Sequence, residues 1–299
     1  MKLAVGPVLY YWRVEQLFAF YEEVSSAPVD IAYLGETVCS RRHSLRLPDW
    51  LALAQRLTAA GKEVILSTQC LVESESDLKA LRRLASNGRF LVEANDMAAV
   101  KLLAGRGPFV AGAHLNVYNP ATLAVLAELG AVRFVAPVEM SREALAALQA
   151  ERPAGVATET WVYGRLPLAF SARCFTARYY NVQKDDCRFR CLDHPEGLLL
   201  RTQEGKPFLT LNGVQTLSAQ VLNLLPALDE LRTLGVDVVR VSPQTQHTGR
   251  ILEIFRAALE GSLDTPAALA ALEPLMPAAP CDGYWRGGPG LAWHSPVRP

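Results

Sequence analysis

A surplus of charge of either sign is the first thing this sequence lacks. Lys and Arg total 30, Asp and Glu total 30, and the formal net charge is zero. A neutral chain has no positive excess to hold a phosphate backbone, which argues against nucleic-acid binding. Long apolar runs are missing too: no stretch approaches the ~18 residues that cross a bilayer. The opening MKLAVGPVLYYWR is interrupted by Gly6, Pro7 and Arg13, with no small-residue cleavage site after it, so it reads as a first strand. The expectation is a cytoplasmic chain with no membrane span. Six cysteines in 299 residues are too few for a disulfide scaffold, and a chain without an export signal keeps its thiols reduced. No G-x-G-x-x-G follows the first strand and no G-x-x-x-x-G-K-[ST] occurs, so neither a Rossmann nor a P-loop phosphate cradle is indicated. There is also no G-x-S-x-G, no H-E-x-x-H, and no i, i+4 pair among His43, His114, His194, His247 and His294. The chain offers no assembled hydrolase, and a working peptidase is not expected.

What is present is the composition of a folded protein, with 50% apolar and 20% charged residues. Short runs rich in Val, Ile, Leu and Phe recur at Lys2 to Val8, Asp30 to Leu34, Glu63 to Thr68, Arg89 to Glu93, Phe109 to Leu115, Val132 to Pro137, Gly155 to Thr160 and Val236 to Val241. Between them lie stretches of helical period such as Val14 to Val24, Asp49 to Ala60, Ser76 to Ser86, Pro120 to Leu129 and Arg142 to Ala150. Most strand runs are apolar on consecutive positions, as parallel strands buried on both faces require. An open doubly wound sheet shares that pattern, but eight strands suit an α/β fold of the (β/α)8, TIM-like barrel type. The expected organisation is a barrel over residues 1–264, with a cysteine-bearing insertion at about 163–216 after the seventh strand. A Pro/Gly-rich, irregular tail would follow over 265–299, packed on the barrel because Tyr284, Trp285 and Trp293 are too apolar for a solvated one.

Within the insertion, Cys174, Cys187 and Cys191 form C-x12-C-x3-C. A fourth thiolate would complete the ligand set of a [4Fe–4S] cluster. Cys39 is the best candidate, because the loop after the second strand shares the C-terminal face of a barrel with the insertion. Arg41, Arg42, Arg173 and Arg188 flank these thiols in sequence and would favour thiolates. Zinc is the chemical rival, since Cys187, Cys191 and His194 read as C-x3-C-x2-H and a Cys3His site needs one more thiolate. Three unrelated thiols in one loop is the plainer alternative. Cys70 and Cys281 read as ordinary buried thiols.

The chain resembles the collagenase-like U-family peptidase superfamily, in its ubiquinone-biosynthesis branch. Glu159, Trp161, Gly164 and Cys174 occupy places of the family signature, while Pro167 stands where the family has its first cysteine and Ala172 where it has Gly. The likeness runs from KLAVGPVLYYW through YLGETVCSRR, GRLPLAFSARCFTAR and KDDCRFRC to DGYWRG. It implies a barrel with a [4Fe–4S] cluster on Cys39, Cys174, Cys187 and Cys191, with Cys39 replacing the ligand lost at Pro167. It also implies a heterodimer with a homologous UbiU-like subunit, a lipid-binding accessory protein as further partner, and oxygen-independent hydroxylation of a ubiquinone precursor with prephenate as oxygen donor. The alternative reading is a zinc-stabilised barrel acting as a non-redox binding or scaffold subunit.

Further candidates fall at strand ends that would face a barrel mouth: His114 and Asn116 after the fifth strand, Glu139 after the sixth, and Glu159 near the end of the seventh. They could bind a substrate or merely anchor loops. Arg240 near the eighth strand could clamp a carboxylate or pair with a neighbouring Glu, and Gln244 extends the same set. The aromatics Tyr10, Tyr11 and Trp12 could stack on a ring or simply pack.

Overall fold

The computed structural model describes residues 1–294. Eight parallel strands close on themselves: β1 (Lys2–Val5), β2 (Ile31–Leu34), β3 (Glu63–Ser67), β4 (Leu91–Ala94), β5 (Phe109–Ala111), β6 (Ala131–Val135), the first part of β7 (Ala157–Phe170), and β11 (Val238–Val241). Between β7 and β11 come β8 (Leu198–Arg201), β9 (Pro207–Asn212) and β10 (Gln215–Asn223). Closure is made by β11, which pairs with β7 from Val238↔Glu159 and with β1 from Lys2↔Val238 to Val5↔Val241. The barrel expected from the apolar runs is the one observed, and each run overlaps its strand.

Helices α1 (Val14–Ser26), α2 (Leu47–Ala59), α3 (Glu75–Ala85), α4 (Met97–Leu103), α5 (Pro120–Glu128) and α6 (Arg142–Ala150) connect successive staves. Their starts are written locally. Ser74 accepts from the Asp77 backbone N–H while Asp77 accepts from the Ser74 N–H, a reciprocal cap for α3. Asn119 caps α5, and Pro120 takes the first helical position, where no N–H is needed. Beyond the short α7 (Phe175–Tyr179) and α8 (Leu228–Thr233), α9 (Thr248–Glu260) lies after the last stave. Its buried residues, including Ile251, Leu252, Ile254 and Phe255, lie on the side turned to the core.

The expected insertion is larger and more regular than 163–216. Strand β7 runs on past the barrel wall, and β10 pairs with it antiparallel from Asn223↔Tyr163 to Gln215↔Phe170. Strands β9 and β8 complete an antiparallel arm at the C-terminal face. The sequence boundary fails because one continuous strand serves both units. Gly164 marks the departure point: its φ is +119°, and a Cβ there would meet the Ser242 Cβ at 2.4 Å. The segment from Thr265 is also less irregular than its Pro and Gly content suggests. It opens with α10 (Thr265–Leu272), capped by Asp264, and β12 (Pro280–Cys281) pairs with β10. The Ala/Leu-rich run favours helix over the surrounding prolines. Trp285 is buried; residues 295–299, which belong to the expected tail, lie outside the described residues.

Candidate functional site

Barrel closure brings the loop after β2 against the arm, and there Cys39, Cys174, Cys187 and Cys191 line one pocket. All four are half-buried free thiols. The pocket has about 360 Å³ of atom-free space, part of it open to solvent. The loops that carry the thiols are tied down from several sides. Arg41 bonds the Asp185 carboxylate at 3.3 Å, and Lys184 bonds Glu73 at 2.7 Å and the Ala172 carbonyl at 2.8 Å. The Trp12 indole donates to the Pro195 carbonyl at 2.9 Å, and Tyr11 packs on Phe189 with ring centres 5.8 Å apart. Tyr10, Tyr11 and Trp12 are all buried; they pack the arm onto the barrel.

Four thiols around one space are the donor set of a [4Fe–4S] cluster. On the same wall the Nε atoms of Arg41 and Arg42 are buried without hydrogen-bond partners, so an anionic guest would find donors in place. In type and number the residues match such a group. As they stand, no three or more His, Cys, Asp or Glu among the described residues form a group that could hold a metal ion; the thiols share a pocket without converging on one point. His194, the donor of the zinc pattern, does not line this pocket and is bonded instead to the Tyr180 hydroxyl at 2.7 Å.

Two expectations about the surrounding charge need correction. Arg173 and Arg188 are exposed and off the pocket wall, where Lys184 and Arg190 stand instead; Arg188 faces Asp186 at 3.7 Å. Nor do the cations favour thiolates outright. Burial pushes the Cys39 thiol up to about 11 and also raises Cys191, with Arg42 pulling both the other way. Desolvation outweighs a cation that is itself paired with Glu36 at 3.7 Å.

A second cavity opens at the same end of the barrel, with about 670 Å³ of atom-free space partly open to solvent. Its wall includes His114, Asn116 and Glu139, together with Cys70, Pro167 and Phe170. Asn116 holds a left-handed φ of 56°, which Asn tolerates better than most residues. Glu139 accepts a hydrogen bond from Tyr118, and the His114 ring meets Phe170 edge-on at 4.9 Å. Burial lowers the His114 pKa to about 4, so its imidazole is neutral at neutral pH. Cys70 was expected to be an ordinary buried thiol; it is half-buried and borders this cavity, whereas Cys281 is fully buried.

Glu159 and Arg240 are brought together, but inside the barrel and not at its mouth. Arg240 Nε meets Glu159 at 2.5 Å and its Nη1 meets Glu93 at 2.8 Å, with the guanidinium 3.8 Å from the Tyr33 ring centre. Tyr33 donates to Glu159 at 2.5 Å, and Arg133 lies 3.5 Å from the same carboxylate and 2.7 Å from Glu63. Glu159 and Arg240 stand on paired staves, β7 and β11, whereas Glu93 on β4 and Tyr33 on β2 reach the same guanidinium across the lumen. Gln244 accepts from Tyr163 at 2.8 Å and donates to the Gln246 and Leu275 carbonyls. Sequence reasoning did not single out Glu36, Glu93 or Asn212. For Glu36 a local signal exists, since its carboxylate accepts from the Val38 and Cys39 N–H groups, the pattern of an acidic side chain folding back on its own loop. For Glu93 and Asn212 only closure reveals the partner.

The solved U32 peptidase Mk0906 is similar at 15% identity, with 82% of this chain and 93% of that chain covered and a TM-score of 0.46. A type I 3-dehydroquinate dehydratase from Clostridium difficile is similar at 11% identity over 54% of this chain and 75% of that one, with a TM-score of 0.35. The dihydrodipicolinate synthase from Aquifex aeolicus matches at 10% identity, 92% and 80% coverage and a TM-score of 0.36. The barrel assignment rests on the strand pairing above. In sequence, peptidase family U32 matches residues 13–278, which takes in all eight parallel strands but the first and every residue of both cavities. The chain belongs to peptidase family U32.

Proposed function

We propose that this chain is the [4Fe–4S] subunit of a heterodimeric complex for oxygen-independent hydroxylation in ubiquinone biosynthesis, a UbiV-like protein working with a UbiU-like partner. The observation that carries this reading is the shared pocket of Cys39, Cys174, Cys187 and Cys191, drawn from two distant parts of the chain. These four residues would hold the cluster, and the cluster when bound supplies one-electron transfer. Lys184 and Arg41 fix the cysteine loops through their ion pairs with Glu73 and Asp185. In the second cavity, His114, Asn116 and Glu139 are the substrate side of this reading. Neutral His114 offers a lone pair or an N–H to a bound molecule, while Phe170 and Pro167 exclude water from its ring. Glu159 and Arg240 enter as the charged floor of the barrel, through one another and not through ligand contact. Prephenate as oxygen donor, the ubiquinone precursor and the lipid-binding accessory protein belong to the same proposal, on the strength of the sequence resemblance.

The test is one anaerobic purification, alone and with a UbiU-like partner, assayed for iron, sulfide and zinc. A brown protein with iron and sulfide near four per chain, in a 1:1 complex, is expected. A colourless protein that carries zinc, or neither metal, would overturn the iron–sulfur reading and leave a scaffold subunit, because zinc is d10 and has no visible absorption.

A further inference from the structure

We propose that Arg42 is a positioning residue of the four-cysteine pocket: its buried guanidinium offsets the negative charge gathered there and sets the reduction potential of the group the cysteines hold. This rests on the iron–sulfur reading above.

Arg42 is 4% exposed, which is unusual for a cation beside a solvent-open pocket. It is held from behind by two separate parts of the fold. Its Nη1 donates to the Leu9 carbonyl at 2.8 Å and its Nη2 to the Asn212 side chain at 2.6 Å, while the Tyr11 ring lies 5.4 Å below the guanidinium. Asn212 is fixed in turn by donating to the Leu9 carbonyl at 2.8 Å and to Gln215 at 2.9 Å. The loop after β1, the loop after β2 and strand β9 therefore all contribute to one side chain's position. Its Nε is buried with no partner, and the side chain borders the thiol pocket, where Cys191 is among the groups it hydrogen-bonds. A buried N–H left unmade costs about 1–3 kcal/mol, and this one stands on the wall of the space the four thiols share.

Among the described residues the carboxylate paired with Arg42 is Glu36, at 3.7 Å, and that carboxylate already accepts from the Val38 and Cys39 N–H groups at 2.9 and 3.0 Å. Glu36 thus shapes the Cys39 turn on one side and counterbalances Arg42 on the other. Hydrogen bonds to sulfur and nearby charge are the levers that move an iron–sulfur potential. A positive charge stabilises the more negative, reduced state, and a negative charge does the reverse. Arg42 and Glu36 should therefore move the potential in opposite directions.

The experiment uses the full-length protein, rebuilt anaerobically with iron and sulfide, in four forms: unaltered, Arg42→Lys, Arg42→Gln and Glu36→Gln. Iron and sulfide per chain are assayed first, and the midpoint potential is then read by spectroelectrochemical titration. Arg42→Gln is expected to shift the potential down, Glu36→Gln to shift it up, and Arg42→Lys to lie nearer the unaltered protein than Arg42→Gln does. A purely structural role would lower iron content in Arg42→Gln and Glu36→Gln alike, and shifts of the same sign or no shift at full iron content would overturn the proposal. If Arg42→Gln fails to fold, Glu36→Gln and Arg42→Lys still decide it, since an unmoved Glu36→Gln potential is incompatible with the pair's electrostatic role. Failure of the unaltered protein to take up iron and sulfide would instead overturn the iron–sulfur reading itself.

Discussion

Two polar regions of this molecule are built on opposite terms. Inside the barrel, Glu93, Glu159, Arg133 and Arg240 each have an oppositely charged partner, and all lie at 8% exposure or less. At the C-terminal face, four thiols stand half-buried around a space, with two arginine Nε atoms on its wall that bond to nothing. Buried donors without hydrogen-bond partners occur in both, at Arg133 Nε and Arg240 Nη2 in the lumen and at Arg41 and Arg42 Nε by the thiols; what differs is that the lumen charges answer one another, whereas the thiols border a space.

The comparison is broken or sharpened first by removing thiols one at a time. Cys39→Ala, Cys174→Ala, Cys187→Ala and Cys191→Ala should each lose most of the bound iron on anaerobic rebuilding, while Cys70→Ala and Cys281→Ala retain it. Iron kept by Cys39→Ala and lost by Cys70→Ala would move the fourth ligand to the other cavity. Next comes Arg240→Met, which leaves Glu93 and Glu159 buried without their shared cation. Breaking a buried pair in this way costs about 3–5 kcal/mol, read as a fall in the denaturant midpoint. A loss under about 1 kcal/mol would show that the lumen tolerates unmatched charge and that the contrast is false.

A smaller effect is expected at His114. The unfolded chain protonates near the ordinary value of about 6.5, and the folded chain only near 4. The folded state therefore binds fewer protons between those values, and stability falls as pH drops from about 6.5 toward 4, by roughly 1–3 kcal/mol. In His114→Gln the denaturant midpoint should lose that part of its pH dependence; an unchanged slope would mean that the ring is not held neutral by burial. The smallest change is expected at Arg188→Gln. That side chain is exposed and, among the described residues, its ion pair is with the exposed Asp186 at 3.7 Å, so stability should move by less than about 0.5 kcal/mol. Neither iron content nor midpoint potential should move, and the second sets it apart from Arg42.

The barrel was legible because a parallel stave buried on both faces has no choice but to be apolar at consecutive positions, as in IAYL of β2 and VVRV of β11. The single Arg in the latter run was also a signal, since a charge in a buried stave must find partners in the lumen. Cys174, Cys187 and Cys191 were legible through their spacing, and Cys39 through the rule that loops after strands meet on one face. Which arginine attends the thiols was not. Arg188 lies next to Cys187 in sequence, but the left-handed backbone at Arg188 and Phe189, with φ of 49° and 52°, accompanies an outward side chain. Arg42 reaches the same pocket because Leu9 and Asn212, 203 residues apart, hold it there. Adjacency in sequence says little about adjacency across a closed barrel.

The closing stave carries a consequence for how this protein comes into being. Val238–Val241 is the strand that joins Lys2–Val5 to β7, so the ring cannot shut until some 240 residues have been made, the better part of the chain. At ribosomal rates of about 5–20 residues per second, the first strand waits on the order of ten seconds or more for its neighbour. Cys39 and even Cys191 precede that last stave; they leave the ribosome as thiols on an open sheet. If the proposed cluster is held there, all four of its ligands are made before the strand that closes the ring around them.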